Sequence, residues 1–187
     1  MATTQDVSIG QFLKYNGELV QVLEWQHRTP GNLRAFYQGK MRNIKNGKLL
    51  ENRFRSGEEV EIVRVEYKPM QFSYRDGENL VCMDPETFDQ VYVPEVYFGD
   101  SIKFLKEEMT VTVTFYEDQP ILAAPPTFVE LDITYCEPAV RGDTSTNALK
   151  QATVETGATV MVPMFVNDGE KIKIDTRTGD YVERVKA

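Results

Sequence analysis

The chain has 187 residues and a net charge of −8, with 41% hydrophobic and 27% charged residues. No apolar run approaches the roughly 20 residues that cross a bilayer. The opening residues, MATTQDVSIGQFL, have neither the cationic nor the apolar region of a secretory signal. We therefore expect a cytoplasmic protein without a membrane segment. At this length the chain could form one large domain or two to three small ones.

Most catalytic and metal-binding patterns are missing from the sequence. It has one histidine, His27, and two isolated cysteines, Cys82 and Cys136. It contains no phosphate-binding G-x-x-x-x-G-K-[ST], no G-x-G-x-x-G and no G-x-S-x-G. We expect no enzyme activity, no cofactor and no metal. We also expect reduced, packed thiols and a half-buried His27 ring beside Trp25 rather than a general base.

The charge is distributed unevenly along the chain. Residues 1–64 carry 10 Lys and Arg against 7 Asp and Glu, whereas residues 65–128 carry 4 against 12. Between Arg28 and Arg55 there are eight cationic side chains, and only Glu51 opposes them. A cationic region on an acidic protein favours contact with a polyanion at one end of the molecule, since Lys and Arg bind phosphates whatever the sequence. A plain solvated face is the alternative.

Turn signals occur along the whole chain and predict hairpins. The dipeptides Asn-Gly and Asp-Gly tolerate a positive φ at both central positions of a tight turn. They occur at residues 16–17, 46–47, 76–77 and 168–169, and weaker Thr-Gly turns occur at 156–157 and 178–179. A cationic loop, HRTPGNLRA (27–35), lies between two strand-like runs. Helix signals are few: Asp84-Pro85-Glu86 predicts a single turn, and PEVYFGDSIKFLKEE (94–108) predicts a short helix.

Alternating segments predict half-buried strands in the second half of the chain. VTVTF (111–115) places Val111, Val113 and Phe115 on one face. VELDITY (129–135) places Val129, Leu131, Ile133 and Tyr135 on one face, and KIKID (171–175) directs its two isoleucines inward. Breaks near residues 65–68 and at Pro125-Pro126 divide the chain into segments of about sixty residues. The prediction is an all-β protein of three small barrels.

Long stretches of the sequence resemble bacterial elongation factor P. The most specific stretch is GDTSTNALKQATVETGATVMVPMFVNDGEKIKIDTRTGDYVERV (142–185), and PPTFVELDI and the run from Gly31 through AFYQGKMRNIKNGKLLENRFRSGEEVE are similar to the family as well. The resemblance implies an SH3-like (KOW-type) barrel at 1–65, then OB-fold barrels at 66–126 and 127–187. These barrels would form an L similar in shape to a tRNA.

The resemblance also implies a function and its partners. Members of the family bind the 70S ribosome between the peptidyl and exit sites, and promote peptide-bond formation when consecutive prolines stall it. The expected partners are the ribosome, its RNA and the peptidyl tRNA in the P site, met by a monomer. The family places the hairpin tip against the acceptor end of that tRNA. Here the tip consists of Arg28, Thr29, Pro30, Gly31, Asn32, Leu33 and Arg34.

The tip departs from the family at one position. Many members carry a lysine there that is lengthened by an attached amino acid, and others carry a glycosylated arginine. Aligned from Pro30-Gly31, the residue here is Asn32, which has neither an amine to acylate nor a guanidinium to glycosylate. We hypothesise that the protein works unmodified, with a stiff backbone and Leu33 in place of the longer side chain.

Two further contacts follow from the resemblance. The loop RGDTSTN is similar to the one that the family places near the messenger in the exit site, which assigns RNA contacts to Arg141, Gly142, Asp143, Thr144, Ser145 and Asn147. An ordinary polar turn is the alternative for that loop. Tyr181 and Arg184 match positions near the small subunit, although Tyr181 also suits a barrel interior.

Two other functions remain open at this point. One is that of the related elongation factor P-like protein, against which the Gly142-Asp143-Thr144 loop and the DTRTG turn count. The other is general binding of single-stranded RNA by OB folds, which needs aromatic platforms in basic grooves. Tyr67, Phe72 and Tyr74 lie instead in the acidic segment.

Overall fold

The computed structural model describes residues 2–138 and 148–185, and strands make up most of that part of the chain. The strands fall into three sheets of six, five and five members. Within the described residues, no helix is both long enough and apolar enough to cross a membrane. The predicted all-β architecture is confirmed.

The first sheet contains strands β1 to β6, which span Ala2–Thr3, Phe12–Tyr15, Glu18–Arg28, Phe36–Asn43, Leu49–Arg55 and Glu59–Val63. Their spatial order is β1-β6-β2-β3-β4-β5, with antiparallel neighbours throughout. The core beneath it is made of buried aliphatic and aromatic side chains, namely Val7, Leu13, Val20, Val22, Met41 and Phe54. The long β3–β4 pair reaches beyond this core and carries the cationic loop at its end.

The second sheet contains β7 to β11, which span Glu66–Asp76, Asn79–Met83, Gln90–Pro94, Thr110–Tyr116 and Gln119–Ala124. Its order is β11-β10-β7-β8-β9. The predicted short helix between β9 and β10 is two 3-10 helices, Glu95–Tyr97 and Gly99–Phe104. The predicted turn at Asp84 is present: its Oδ1 accepts the backbone N–H groups of Glu86 and Thr87 at 2.8 and 3.3 Å.

The third sheet contains β12 to β16, which span Phe128–Cys136, Leu149–Val154, Thr159–Pro163, Lys171–Asp175 and Asp180–Arg184, in the order β14-β13-β12-β15-β16. Val129, Leu131 and Ile133 are buried as the alternation predicts, but Tyr135 is exposed. A β-bulge between Ile133 and Tyr135 shifts the register by one residue. The prediction for Tyr135 is therefore wrong, because a bulge reverses which side chains face the core.

The tight turns agree only partly with the predicted dipeptides. Asn16 and Gly17 both have a positive φ, at 51° and 81°, as a type I′ turn requires. In the other predicted pairs only the glycine does. Glu117 and Asp118 form a turn with φ of 49° and 62° at both positions although neither residue is a glycine or an asparagine, so turn chemistry alone could not have found it.

Spatially the chain forms two compact units. One comprises the residues up to Glu66 together with Thr114–Ile121, and the other comprises Tyr67–Val113 and the residues from Leu122 onward. The first sheet belongs to the former and the third sheet to the latter. The division into domains at 1–65, 66–126 and 127–187 stays a prediction.

The two thiols are free and buried, as predicted. Burial raises the pKa of Cys82 to about 11 and raises that of Cys136 as well. Both side chains are therefore protonated at neutral pH, and they pack as small apolar groups.

Phe104 connects the second 3-10 helix to the core beneath the third sheet. Its ring is 1% exposed and packs in the cluster that contains Leu131, Val162 and Ile172. Lys106, two residues later, pairs with Glu155 at 2.8 Å. This segment is therefore anchored to the third sheet mainly by a buried aromatic ring.

We predict that Phe104→Ala lowers the free energy of unfolding by about 3–5 kcal/mol, the usual cost of truncating a buried phenylalanine. Urea denaturation followed by circular dichroism measures it. Val96→Ala on the adjacent 3-10 helix is the control, because Val96 is 80% exposed and such changes stay within about 0.5 kcal/mol. Equal effects of the two substitutions would contradict this packing.

Candidate nucleic-acid interface

The cationic loop lies at the end of a long two-stranded hairpin formed by β3 and β4. Cross-strand pairing continues as far as Arg28 opposite Phe36. The register shifts by one residue between Val22 and Glu24. Val20 and Val22 face the core before this bulge, and Trp25 and His27 lie on that face after it, because the extra residue reverses the alternation.

A contact between Trp25 and Gly39 fixes the two strands against each other. The residues are directly opposite in the register, and a Cβ at Gly39 would lie 2.4 Å from the indole ring of Trp25. Only a glycine leaves space for that ring. On its other side the indole Nε1 donates a hydrogen bond to the backbone carbonyl of Thr4 at 3.0 Å, so the ring also connects the hairpin to the chain start.

Aromatic rings continue from this contact along the inner face of the hairpin. The Trp25 ring centroid lies 4.9 Å from that of Phe54 and 5.8 Å from that of Tyr37, and Tyr37 lies 4.7 Å from His27. Each of the two Trp25 pairs adds about 0.5–1.5 kcal/mol beyond simple burial. The predicted half-burial of His27 is wrong: His27 is exposed, and its ring contacts Tyr37.

The tip itself is a short turn. The backbone N–H of Leu33 donates to the carbonyl of Pro30 at 3.2 Å, which closes a four-residue turn with Gly31 and Asn32 at its centre. Pro30 is partly covered, whereas Gly31 to Arg34 are exposed and Leu33 is 75% exposed. The backbone φ of Gly31 lies outside the left-handed region, and the space around it is open. Folding therefore does not require a glycine there.

Positive charge on the outer face of the hairpin is greatest beside the tip. Farther from the tip lie a row of Gln21, Arg42 and Leu49 and then a row of Glu24, Lys40 and Glu51, with a 3.2 Å ion pair between Lys40 and Glu24. The next row is Gln26, Gln38 and Arg53, and the row beside the tip is Arg28, Phe36 and Arg55. Most of the uncompensated charge therefore lies at the tip end.

The structure places the predicted tip residues together at the end of the hairpin. Arg141, Gly142, Asp143, Thr144, Ser145 and Asn147 lie outside the described residues. Tyr181 packs against the core of the third sheet. Arg184 pairs with Glu170 at 3.0 Å and lies over the Phe165 ring. Among the residues that the structure describes, no group of acidic, histidine or cysteine side chains is arranged to hold a metal ion.

Sequence reasoning missed the parts that hold the tip in place. Neither the Trp25–Gly39 contact nor the Phe36 row was predicted. A signal was present in the sequence. In EWQHR (24–28) Trp25 and His27 alternate with polar residues, and in AFYQG (35–39) Tyr37 and Gly39 occupy alternate positions. That signal becomes readable only when the register is known, and the bulge near Leu23 sets the register.

Three family models match successive parts of the chain. Residues 3–60 match the elongation factor P (EF-P) KOW-like domain. Residues 65–123 match the EF-P OB domain. Residues 129–184 match the C-terminal part of elongation factor P. The fold and these matches define the class of protein: one with a KOW-like barrel joined to OB-type barrels, as the sequence predicts.

Full-length relatives point to the same family. Elongation factor P of Roseiflexus sp. (strain RS-1) is 51% identical over 187 residues, and that of Chloroherpeton thalassium is 49% identical over 187 residues, each with full coverage of both chains. The solved eukaryotic translation initiation factor 5A from Methanococcus jannaschii shares the fold, with a TM-score of 0.51 at 17% identity over 64% of this chain and 90% of that one. The chain belongs to the elongation factor P family.

We predict that Gly39→Ala destabilises the first unit, because the added methyl group displaces the indole and forces repacking that costs about 1–3 kcal/mol. Trp25 is the only tryptophan, so its fluorescence reports directly on the site. The emission maximum should shift to longer wavelength, and the urea midpoint should fall.

Gly31→Ala is the matched control for that substitution. It adds the same methyl group at a glycine with open space around it, so stability should stay equal or rise by about 0.4–1 kcal/mol. If Gly39→Ala left both the fluorescence and the midpoint of the wild type unchanged, the indole contact would not hold the hairpin.

Proposed function

We propose that this chain is a translation elongation factor that binds the ribosome beside the peptidyl tRNA, between the P and E sites. There it would promote peptide-bond formation at runs of proline. The observation that carries the proposal is the hairpin tip, which is exposed, rich in arginine and backed by packed aromatic rings. Full-length relatives named elongation factor P support the assignment.

The role we propose for the tip is positional. Proline reacts poorly because its ring fixes φ and leaves a hindered secondary amine. Holding the acceptor end of the peptidyl tRNA in a reactive pose removes an entropic part of the barrier. The tip offers guanidinium groups and backbone amides for this, and the proposal requires no acid, base or nucleophile from the protein. The protein would thus have no enzyme activity of its own.

The charge distribution supports the direction of approach. The row of Glu24, Lys40 and Glu51, which carries a net charge of −1, lies farther from the tip, and the row nearest the tip contains Arg28 and Arg55. A polyanion is attracted most strongly to the end where charge is not compensated. Arg28 is also oriented by a 2.7 Å hydrogen bond from its guanidinium to Gln26 Oε1, which reduces the freedom lost on binding.

The tip would act without modification. Asn32 occupies a turn that Pro30 and Leu33 close by a backbone hydrogen bond, so its backbone is set without help from a long side chain. The exposed Leu33 offers apolar contact where other members use an extended lysine or a modified arginine. We propose that these two features together take the place of the modification.

The remaining contacts belong to the same proposal. The loop of Arg141 to Asn147 would meet RNA in the exit site, and Tyr181 with Arg184 would approach the small subunit. Arg184 is paired with Glu170, so it would have to exchange that carboxylate for a phosphate. We further propose that the protein acts as a monomer in the cytoplasm, with ribosomal RNA and the peptidyl tRNA as partners.

Synthesis of a three-proline peptide in a reconstituted translation system tests the function. We predict that recombinant protein, shown by intact mass to carry no addition, increases the rate of the stalled step. Arg34→Ala should reduce the increase several-fold, and deletion of residues 30–33 should abolish it. Both changes lie in the exposed tip, so circular dichroism should match that of the wild type.

Gly31→Ala adds a test of close approach. Its fold should be intact, so a lower rate would mean that the partner comes within contact distance of this backbone. If the unmodified wild type bound ribosomes but gave no increase in rate, an unmodified tip would be insufficient. If it did not bind ribosomes, the proposed function itself would be wrong.

A further inference from the structure

Phe36 lies in a cationic setting at the base of the tip that the proposed contacts of residues 28–34 do not include. It is the first residue of β4, partly exposed, and directly opposite both Arg28 on β3 and Arg55 on β5. Opposed residues in an antiparallel sheet point to the same face. The ring therefore lies between two guanidinium side chains, whose backbones are roughly 10 Å apart at normal strand spacing.

A third arginine covers part of the ring. The guanidinium carbon of Arg53 lies 5.1 Å from the Phe36 ring centroid, within the range of a cation–π contact. The ring and the guanidinium are each planar, and both lie on the outer face of the sheet. Flat rings and guanidinium planes are the surfaces on which unpaired bases stack in RNA-binding proteins.

Grooves open on both sides of Phe36. One has a volume of about 740 Å³ and is lined by Gln26, His27, Arg28, Thr29, Pro30 and Phe36. The other, of about 630 Å³, is lined by Arg34, Ala35, Phe36, Arg55 and Ser56. Neither lining contains a carboxylate, and in the described part of the chain none of these arginines forms an ion pair with one.

We propose that Phe36, Arg53 and Arg55 form a binding site for one unpaired RNA nucleotide, next to the tip. The base stacks on the Phe36–Arg53 surface, and Arg55, together with Arg28 across the ring, binds the adjoining phosphates. This inference rests on the proposed function, since it places a second point of RNA contact at the same end of the molecule. It also explains why an aromatic residue interrupts a row of arginines.

An alternative reading of the same cluster is purely structural, with Phe36 only shielding the end of the sheet. The two readings differ in what they require of the side chain. Shielding requires apolar volume, which leucine supplies, whereas stacking requires an aromatic ring. Loss of stacking on one base costs about 1–3 kcal/mol, which corresponds to about a five- to 150-fold change in affinity.

Binding of labelled protein to 70S ribosomes carrying a peptidyl tRNA in the P site tests the proposal. We expect Phe36→Leu to weaken binding about ten-fold and Phe36→Tyr to stay within about two-fold of the wild type. Arg55→Gln should weaken binding and lower the slope of log affinity against log salt concentration by about one. Lys14→Gln removes an equal charge from β2 of the same unit and should bind like the wild type.

Photocrosslinking identifies the source of the nucleotide. With p-benzoylphenylalanine in place of Phe36, we expect a cross-link to an unpaired nucleotide, either in the tRNA acceptor end or in a ribosomal RNA loop, and mapping its position tells which. Cross-links to protein alone, or to paired RNA, would overturn the proposal.

The outcomes separate this site from the function it rests on. If the wild type rescues three-proline synthesis while Phe36→Leu and Phe36→Tyr bind equally well, the nucleotide site is wrong and the proposed function stands. If the wild type neither binds ribosomes nor rescues synthesis, both are wrong. Thermal unfolding of each variant shows whether a loss of binding comes from a loss of fold.

Discussion

The contact between the Trp25 indole and Gly39 is the constraint on which the candidate interface depends. The β3–β4 hairpin pairs with β5 as far as Phe36 opposite Arg55, but its last row lies beyond the buried core of the sheet. The indole fills the space that a glycine leaves on the opposite strand, a known way of stabilising a glycine within a sheet. The indole also donates a hydrogen bond to Thr4 and packs against the rings of Phe54 and Tyr37. These contacts extend the anchored part of the hairpin toward the tip.

The two faces of the hairpin serve different purposes because a strand directs alternate side chains to opposite sides. The inner face carries rings that fix the geometry, and the outer face carries its largest positive charge beside the tip. The proposed function, which places a tRNA for reaction, needs both: a group that holds the tRNA, and a support that does not move under it. If the tip were mobile, the same arginines could still bind RNA, but little of the binding free energy would go into lowering the reaction barrier.

Much of the fold could be predicted from the sequence, and the reasons differ between elements. Strands such as KIKID were predicted correctly because one face meets a core and the other meets water, which imposes period two. Tyr135 faces the other side from the one predicted because a bulge shifts the register of its strand. The burial of His27 differs from the prediction because it depends on the partner strand, where Tyr37 lies opposite. The family resemblance predicts the tip residues. The contacts of Phe36 and Gly39 follow only from the cross-strand register, which no single segment of the sequence encodes.

The rate constant for three-proline synthesis at saturating Gly39→Ala protein tests the central claim most directly. It is measured at a temperature where circular dichroism shows the variant fully folded. If the aromatic contact serves to place the tip, the saturated rate should fall several-fold while the half-saturating concentration changes little, because the arginines proposed to bind RNA are untouched. A wild-type rate from a variant whose indole is demonstrably displaced would contradict the account, since the tip would then work without the support described here.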